Sequence, residues 1–183
     1  MSQNKNLLII GAGQYGLLAK EVAESMGVFE KIDFLDDNKD IAIGKVNEYE
    51  KFVCHYSYAF VAVGDNDFRL KMIDRLQEAC YKIAVLVSTK AYVAPSAQLR
   101  KGTIVEPMAV VQANTSVAIG CLVCSGAIVK HNAFVGDGCY LDCNCVIQAS
   151  VLVPAKTKVN ANTVYSIEDA TAALERIVKK SKD

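Results

Sequence analysis

Two sets of residues in this chain could do chemistry. The first is the run Gly11, Ala12, Gly13, Gln14, Tyr15, Gly16, with the paired acids Asp36 and Asp37 further on. Glycines at this spacing let backbone amides close around a phosphate, and an acid about 20 residues later suits a ribose hydroxyl. In such a loop Gly11 permits the tight turn, Gly13 a close backbone approach, and Gly16 the packing of helix on strand. The bland alternative is a glycine loop that serves packing alone. The second set is centred on His131, in the run Ala127, Ile128, Val129, Lys130, His131, Asn132; the only other histidine is His55. An imidazole, with an ordinary pKa of about 6.5, can take the proton of an attacking amine or hydroxyl, typically for a gain of about 10²–10⁴-fold. An incidental surface histidine would look the same in isolation, so the elements that carry each set decide.

The glycine run is flanked as a nucleotide-binding α/β unit requires. An apolar strand over residues 6–10 leads into it. A helix over 17–26, with Leu17, Leu18, Val22 and Ala23 on one side, leads out, and a strand over 32–35 ends in the acids. Residues 41–51 read as a polar loop. Another buried strand spans 58–63 and ends in Gly64, Asp65, Asn66, Asp67, Phe68, Arg69. A helix over 68–79 and a fourth strand over 83–87 follow. Strand alternating with helix predicts a small parallel sheet. It has about half the strands of a dinucleotide fold, which favours a mononucleotide or nucleotide-sugar.

His131 belongs to a different pattern. From residue 91 to 162 an aliphatic side chain returns at every sixth position, as Val93, Leu99, Val105, Val111, Val117, Val123, Val129, Val135, Leu141, Ile147, Val153 and Val159. The residue two places before each is usually small. A period of six fits neither an α-helix nor a hairpin meander; it predicts a solenoid with three short sides per coil. Residues 18 apart then stack. His131 falls at an outward corner, and Ala149 sits one coil beyond it in the column that begins at Ala113.

Composition closes off other classes. Lys+Arg and Asp+Glu both number 20, so no basic field points to nucleic acid or an anionic membrane. No apolar run reaches the roughly 18 residues of a membrane span, and the amino terminus lacks a signal-peptide pattern, so a soluble cytoplasmic protein is expected. Among the seven cysteines, Cys121 and Cys124 have zinc-like spacing, but Cys121, Cys139 and Cys145 take the small inward position of the repeat. They read as core filler, with no metal. After the solenoid, Ser166 begins a helix with Glu168 and Asp169 in its first turn and Lys179, Lys180 and Lys182 near its end. Ile167, Ala170, Leu174, Ile177 and Val178 form its apolar face, which should cap the last coil or pack on a neighbouring subunit.

Taken together, the glycine loop with Phe34 to Asn38, the run Val63 to Arg69 and a hexapeptide solenoid containing His131 resemble the sugar O-acyltransferase family. That family includes sialic acid O-acetyltransferase and the bacterial UDP-4-amino-sugar N-acetyltransferases. The resemblance implies an α/β plus β-solenoid fold: a small Rossmann-like domain (1–88), a left-handed parallel β-helix of about four coils (89–165) and a C-terminal capping helix (166–183). It implies an acetyltransferase of glycan biosynthesis that moves an acetyl group from acetyl-CoA to an amino or hydroxyl group of a nucleotide-linked sugar, working as a homotrimer with sites at subunit boundaries. By position, His131 is the general base, Asn132 its neighbour in the site, and the Ala149 N–H the donor to the thioester carbonyl. Gly11, Ala12, Gly13, Tyr15 and Gly16 face the diphosphate, Asp36 and Asp37 the base or ribose, and Gly64, Asn66 and Arg69 complete that pocket. Arg69 could alternatively be a solvated helix residue. The chain departs from the family at Tyr15, usually His; at Asn132 and Lys130, where acids are common; and at Cys124, usually Asn. It also lacks the last one or two coils that hold the far end of acetyl-CoA. The other outcome is a trimeric nucleotide-sugar-binding or regulatory protein with a shortened β-helix and impaired catalysis.

Overall fold

The computed structural model describes residues 4–180, which divide into two compact units, Met1–Thr89 and Lys90–Asp183. In the first, β1 (Asn6–Ile10), β2 (Lys31–Leu35), β3 (Tyr58–Val61) and β4 (Lys82–Ile83) form a parallel sheet in the order β2-β1-β3-β4. Helix α1 (Gln14–Met26) connects β1 to β2, and α2 (Asn66–Glu78) connects β3 to β4. Leu7, Leu8, Ile9 and Ile10 are all fully buried. That is why they read as a continuous apolar run, as strands covered on both faces do.

Three local features differ from the sequence reading. Both helices begin earlier than their apolar faces indicate, because their first turns are polar. Gly13 is the N-cap of α1, and the Asp65 side chain caps α2 by accepting from Phe68 N at 2.7 Å. The polar stretch contains a 3₁₀ helix, Val46–Phe52, entered where Glu48 Oε2 accepts from Lys45 N at 2.8 Å. The apolar run at 83–87 is two pieces, Lys82–Ile83 and Leu86–Val87, of which only the first pairs in the α/β sheet. An apolar run does not show where the chain leaves a sheet, since burial continues across the break.

The second unit is a left-handed β-helix of two-residue parallel rungs. One face stacks Tyr92–Val93, Val110–Val111, Ile128–Val129, Val146–Ile147 and Val164–Tyr165. The next stacks Gln98–Leu99, Ser116–Val117, Phe134–Val135 and Leu152–Val153. The third carries Ile104–Val105, Leu122–Val123, Tyr140–Leu141 and Lys158–Val159. The repeat thus runs one rung beyond residue 162.

Each hexad position has its own work. The first and third residues fill the core: Ala109, Val111, Val117, Val129, Val135 and Leu141 are fully buried. Several first-position residues also donate. Thr103 Oγ1 reaches Ala118 O at 2.8 Å, Cys121 Sγ reaches Gly136 O at 3.1 Å, and Cys139 Sγ reaches Pro154 O at 3.1 Å. The inward cysteines are therefore core filler that also satisfies a corner carbonyl. Burial pushes the Cys145 thiol up to about 12, so it stays protonated and inert. The sixth residue turns every corner with positive φ from Gly102 to Asn162, through Gly120, Gly126 and Gly138 but also Met108, Asn114, Asn132, Asn144, Ser150 and Lys156.

The unit ends in α3 (Ile167–Lys180), opened by a reciprocal cap: Ser166 N donates to Asp169 Oδ2 at 2.8 Å and Asp169 N to Ser166 Oγ at 3.3 Å. Of the expected apolar face only Ala170 is buried; Ile167, Leu174, Ile177 and Val178 remain exposed. Lys182, expected near the helix end, lies outside the described residues.

Candidate functional site

In the first unit the strand order reverses at β1, with β2 on one side and β3 on the other. Ligands of open parallel sheets bind outside the carboxyl ends of the strands at such a switch point. Here the loops after β1 and β3 meet. The glycines in them divide sharply. A Cβ on Gly11, where φ is +101°, would lie 2.8 Å from Ala62 O, and one on Gly16 would lie 2.1 Å from Gly11 O. These two are glycine because the protein's own backbone demands it. A Cβ on Gly13 or Gly64 would meet nothing within 4 Å. Neither has a packing reason to lack a side chain. Gly13 caps α1 with no side-chain hydrogen bond, and a helix N-terminus of this kind favours an anion.

Asp36 braces this loop: its Oδ2 accepts from Ala12 N and its Oδ1 from Asn38 N, both at 2.8 Å. The Ala12 amide is the main cause holding the Asp36 carboxyl below the usual carboxylate range, with the Asn38 amide and Lys39 and Lys45 adding to it against a cost of burial. Asp37 instead anchors the following segment, accepting from Val46 N at 3.0 Å on Oδ1 and from Lys45 Nζ on its backbone oxygen. Arg69 is not a solvated helix residue. It is fully buried, and its guanidinium donates to Val63 O at 2.8 Å, Gly64 O at 3.1 Å and Asn66 Oδ1 at 2.6 Å. It therefore shapes the Gly64 loop from behind. The Tyr15 hydroxyl is buried as well. Beside Asp37 opens a cleft of about 710 Å³ whose walls include Lys45, Asn47, Tyr49, Phe68 and Arg75. Of these five only Phe68 lay in a run that the sequence singled out. They come from the start and body of the 3₁₀ helix and the outer side of α2, and only the fold brings them together.

In the second unit His131 takes the fifth place of its hexad, at the corner between the first and second faces, with its side chain exposed. Its carbonyl accepts from Ser150 N at 3.0 Å one coil above, and its N–H donates to Gln112 Oε1 at 3.1 Å one coil below. Asn132, at φ 59°, places its amide 3.1 Å from His131 Nδ1. With the amide oxygen toward the ring it accepts an Nδ1–H and leaves Nε2 as the base; with the nitrogen toward the ring it donates and leaves the proton on Nε2.

Coil stacking uses the N–H groups of the second, fourth and sixth hexad residues but leaves over that of the fifth. At some corners a side chain takes it up: Asp137 Oδ1 for Ile119 N, Glu106 Oε2 for Ser125 N and Asp142 Oδ1 for Cys143 N, each at 2.8–2.9 Å. At Ala113, Ala155 and Ala161 no acceptor is found among the described residues. At Pro95 and Pro107 there is no N–H at all. The Ala149 N–H, one coil above His131, has no acceptor among the described residues. An exposed imidazole and a spare backbone donor thus share one corner column.

Comparison with known proteins bears on the fold of both units. Residues 6–76 match the family model of the PglD N-terminal domain. The acetyltransferase domain of PglB from Neisseria gonorrhoeae FA1090 superposes with a TM-score of 0.79 at 25% identity, over 89% of this chain and 92% of that one. The same domain in complex with acetyl coenzyme A gives 0.61 at 25% identity, over 88% and 94%. A mutant perosamine N-acetyltransferase from Caulobacter crescentus, in complex with CoA and GDP-perosamine, gives 0.73 at 20% identity, over 88% of each chain. By fold and domain make-up, the chain is an acyltransferase of the hexapeptide-repeat class.

In this acyltransferase no group of three or more His, Cys, Asp or Glu side chains among the described residues could hold a metal ion. No described helix is long and apolar enough to cross a membrane. The first face of its solenoid carries an outward apolar ladder of Tyr92, Val110, Ile128, Val146 and Val164, with Tyr92 and Val164 more than half exposed at its two ends. Phe134 and Leu152 stand exposed on the second face, on the other side of the His131 corner.

Proposed function

We propose that this acyltransferase moves an acetyl group from acetyl-CoA to an amino or hydroxyl group of a nucleotide-linked sugar. The reading is carried by one observation: an exposed imidazole lies one coil below a backbone N–H that has no acceptor among the described residues. His131 takes the proton of the acceptor amine or hydroxyl as the new bond to the acetyl carbon forms. The Ala149 N–H donates to the thioester oxygen as charge develops there. The carbon–sulfur bond then breaks, the imidazolium returns the proton to the departing thiolate, and the base is regenerated. The step uses no cysteine as a nucleophile, and burial raises the thiols of Cys124 and Cys145 well above the range in which a thiolate forms.

The nucleotide-sugar is assigned to the first unit. Gly13 and Gly64 supply open backbone for the diphosphate, with Gly11, Ala12, Tyr15 and Gly16 completing the loop. Asp36, Asp37 and Asn66 line the approach, and Arg69 holds it in shape. The apolar ladder on the first face supports a homotrimer, since a column of aliphatic side chains beside a catalytic corner is best covered by a second copy of the same chain. Thiols packed in the solenoid core suit the reducing cytoplasm.

Replacing His131 by Ala tests the assignment. Acetyl transfer is expected to fall by about 10²–10⁴-fold while nucleotide-sugar affinity stays as in the parent; unchanged turnover refutes the role. A second reading, a nucleotide-sugar-binding protein without transfer, is favoured by the end of the solenoid at Val164–Tyr165, where α3 takes over. Calorimetric titration separates the two, because the enzyme must bind acetyl-CoA as well as the sugar.

A further inference from the structure

The geometry points to Gln112 as the positioning residue of His131, acting together with Thr115. Both lie one coil below, and between them they hold the two ends of the single peptide group that joins Lys130 to His131. Gln112 Oε1 accepts the His131 N–H at 3.1 Å, and Thr115 Oγ1 donates to the Lys130 carbonyl at 3.1 Å. Thr115 is buried in the solenoid core, so its hydroxyl has a fixed origin. The His131 carbonyl is tied separately to Ser150 N one coil above. The peptide before the imidazole is thus set from below by side chains, beside one longer turn bond from Ala133 N to the Lys130 carbonyl at 3.3 Å. The one after it is set by backbone on both sides, since Asn132 N also donates to Ala113 O at 3.0 Å one coil below. Of these ties only those from Gln112 and Thr115 depend on residue type.

This matters because the ring itself has little else to orient it. It is exposed, and among the described residues its side-chain hydrogen-bond partner is the likewise exposed Asn132 amide. A general base has to meet the acceptor proton within hydrogen-bond reach, and a displacement of about 1 Å can cost about 10²-fold in rate. Rotation of the Lys130–His131 peptide swings the His131 Cα–Cβ bond and moves the ring nitrogens by that order. An identical reach across one coil, from Glu106 Oε2 to Ser125 N at 2.9 Å, is found at another corner where no ring follows. That pair provides the comparison for a purely structural role.

The inference rests on His131 as the base, so its test includes a readout that does not need turnover. In Gln112→Met the labelled His131 ring is expected to give more than one set of NMR signals, against one set in the parent. kcat should fall about tenfold with both KM values within about twofold. Gln112→Glu, which keeps the acceptor, should restore a single set of ring signals and most of the turnover. Glu106→Met should lower thermal stability and leave kcat at the parent value. A single ring conformer, or parental kcat, in Gln112→Met overturns the proposal. If that variant does not fold, Thr115→Val releases the other end of the same peptide and is held to the same two criteria. Should His131→Ala retain acetyl transfer, the base assignment fails instead, and the ring signals alone then decide what Gln112 does.

Discussion

The glycine loop of the first unit and the His131 corner of the second are the two places where we propose that backbone N–H groups meet a ligand, and they are built by opposite means. The loop depends on particular residues. Gly11 and Gly16 sit where a Cβ would collide with backbone oxygen at 2.8 and 2.1 Å, and Asp36 ties the turn to the end of β2. The corner depends on register. Its conformation recurs at every hexad, and the left-handed position accepts Gly, Asn, Ser, Met and Lys alike. A spare N–H arises there because stacking never uses the fifth amide, whichever residue carries it. In the first case function is written in residue identity. In the second it is written in which column a residue occupies, and identity matters only for the imidazole and its props.

The sharpest way to break this contrast is inside the loop itself. Gly16→Ala puts a methyl group on the Gly11 carbonyl and should destabilise the first unit by about 3 kcal/mol in denaturant unfolding. A parental midpoint would mean that the loop is not as tightly determined as described. Gly13→Val is the converse. Its extended backbone accepts any residue and its Cβ meets nothing, so stability should change by about 1 kcal/mol or less. Nucleotide-sugar affinity should drop at least about tenfold by calorimetry. Full affinity would show that this open face of the loop is not where the diphosphate lies.

Asp36→Asn gives the smallest effect and carries a pH signature. Its folded carboxyl lies below the usual carboxylate range, chiefly because of the Ala12 N–H. The stabilisation is therefore fully present above the unfolded carboxylate's ordinary pKa and is lost as pH falls through the depressed folded value. The variant keeps one acceptor and loses the charge, so a cost of about 1 kcal/mol is expected at neutral pH. Unfolding curves of parent and variant should converge in acid; a pH-independent difference would mean that charge plays no part in bracing the loop.

Much of this was legible in the sequence where periodicity is strong. The sixfold return of Val93 through Val159 specified the solenoid, its inward columns and the corner of His131, because a period of six has few structural solutions. The strands and helices of the first unit were legible too, though not their ends: the polar first turns of α1 and α2 and the break after Ile83 leave no mark in an apolar pattern. The burial of Arg69 was not legible, since a guanidinium folded back on Val63 O and Gly64 O looks in sequence like any charge on a helix. Gln112 was hidden for a related reason. Its partner lies 19 residues on, and the reach becomes visible only once the coils are stacked. The cleft beside Asp37 is assembled from the 3₁₀ helix and α2, which no local motif connects.

The central claim is that stacking puts a base and an unused backbone donor in one corner column, and Ala149→Pro tests it most directly. Pro95 and Pro107 already occupy the same hexad position, so the substitution removes the N–H from a place where the coil tolerates its loss. Acetyl transfer measured with saturating nucleotide-sugar should fall by about 10²–10³-fold, with the unfolding midpoint and nucleotide-sugar affinity unchanged. Parental turnover in a folded Ala149→Pro protein would contradict the account.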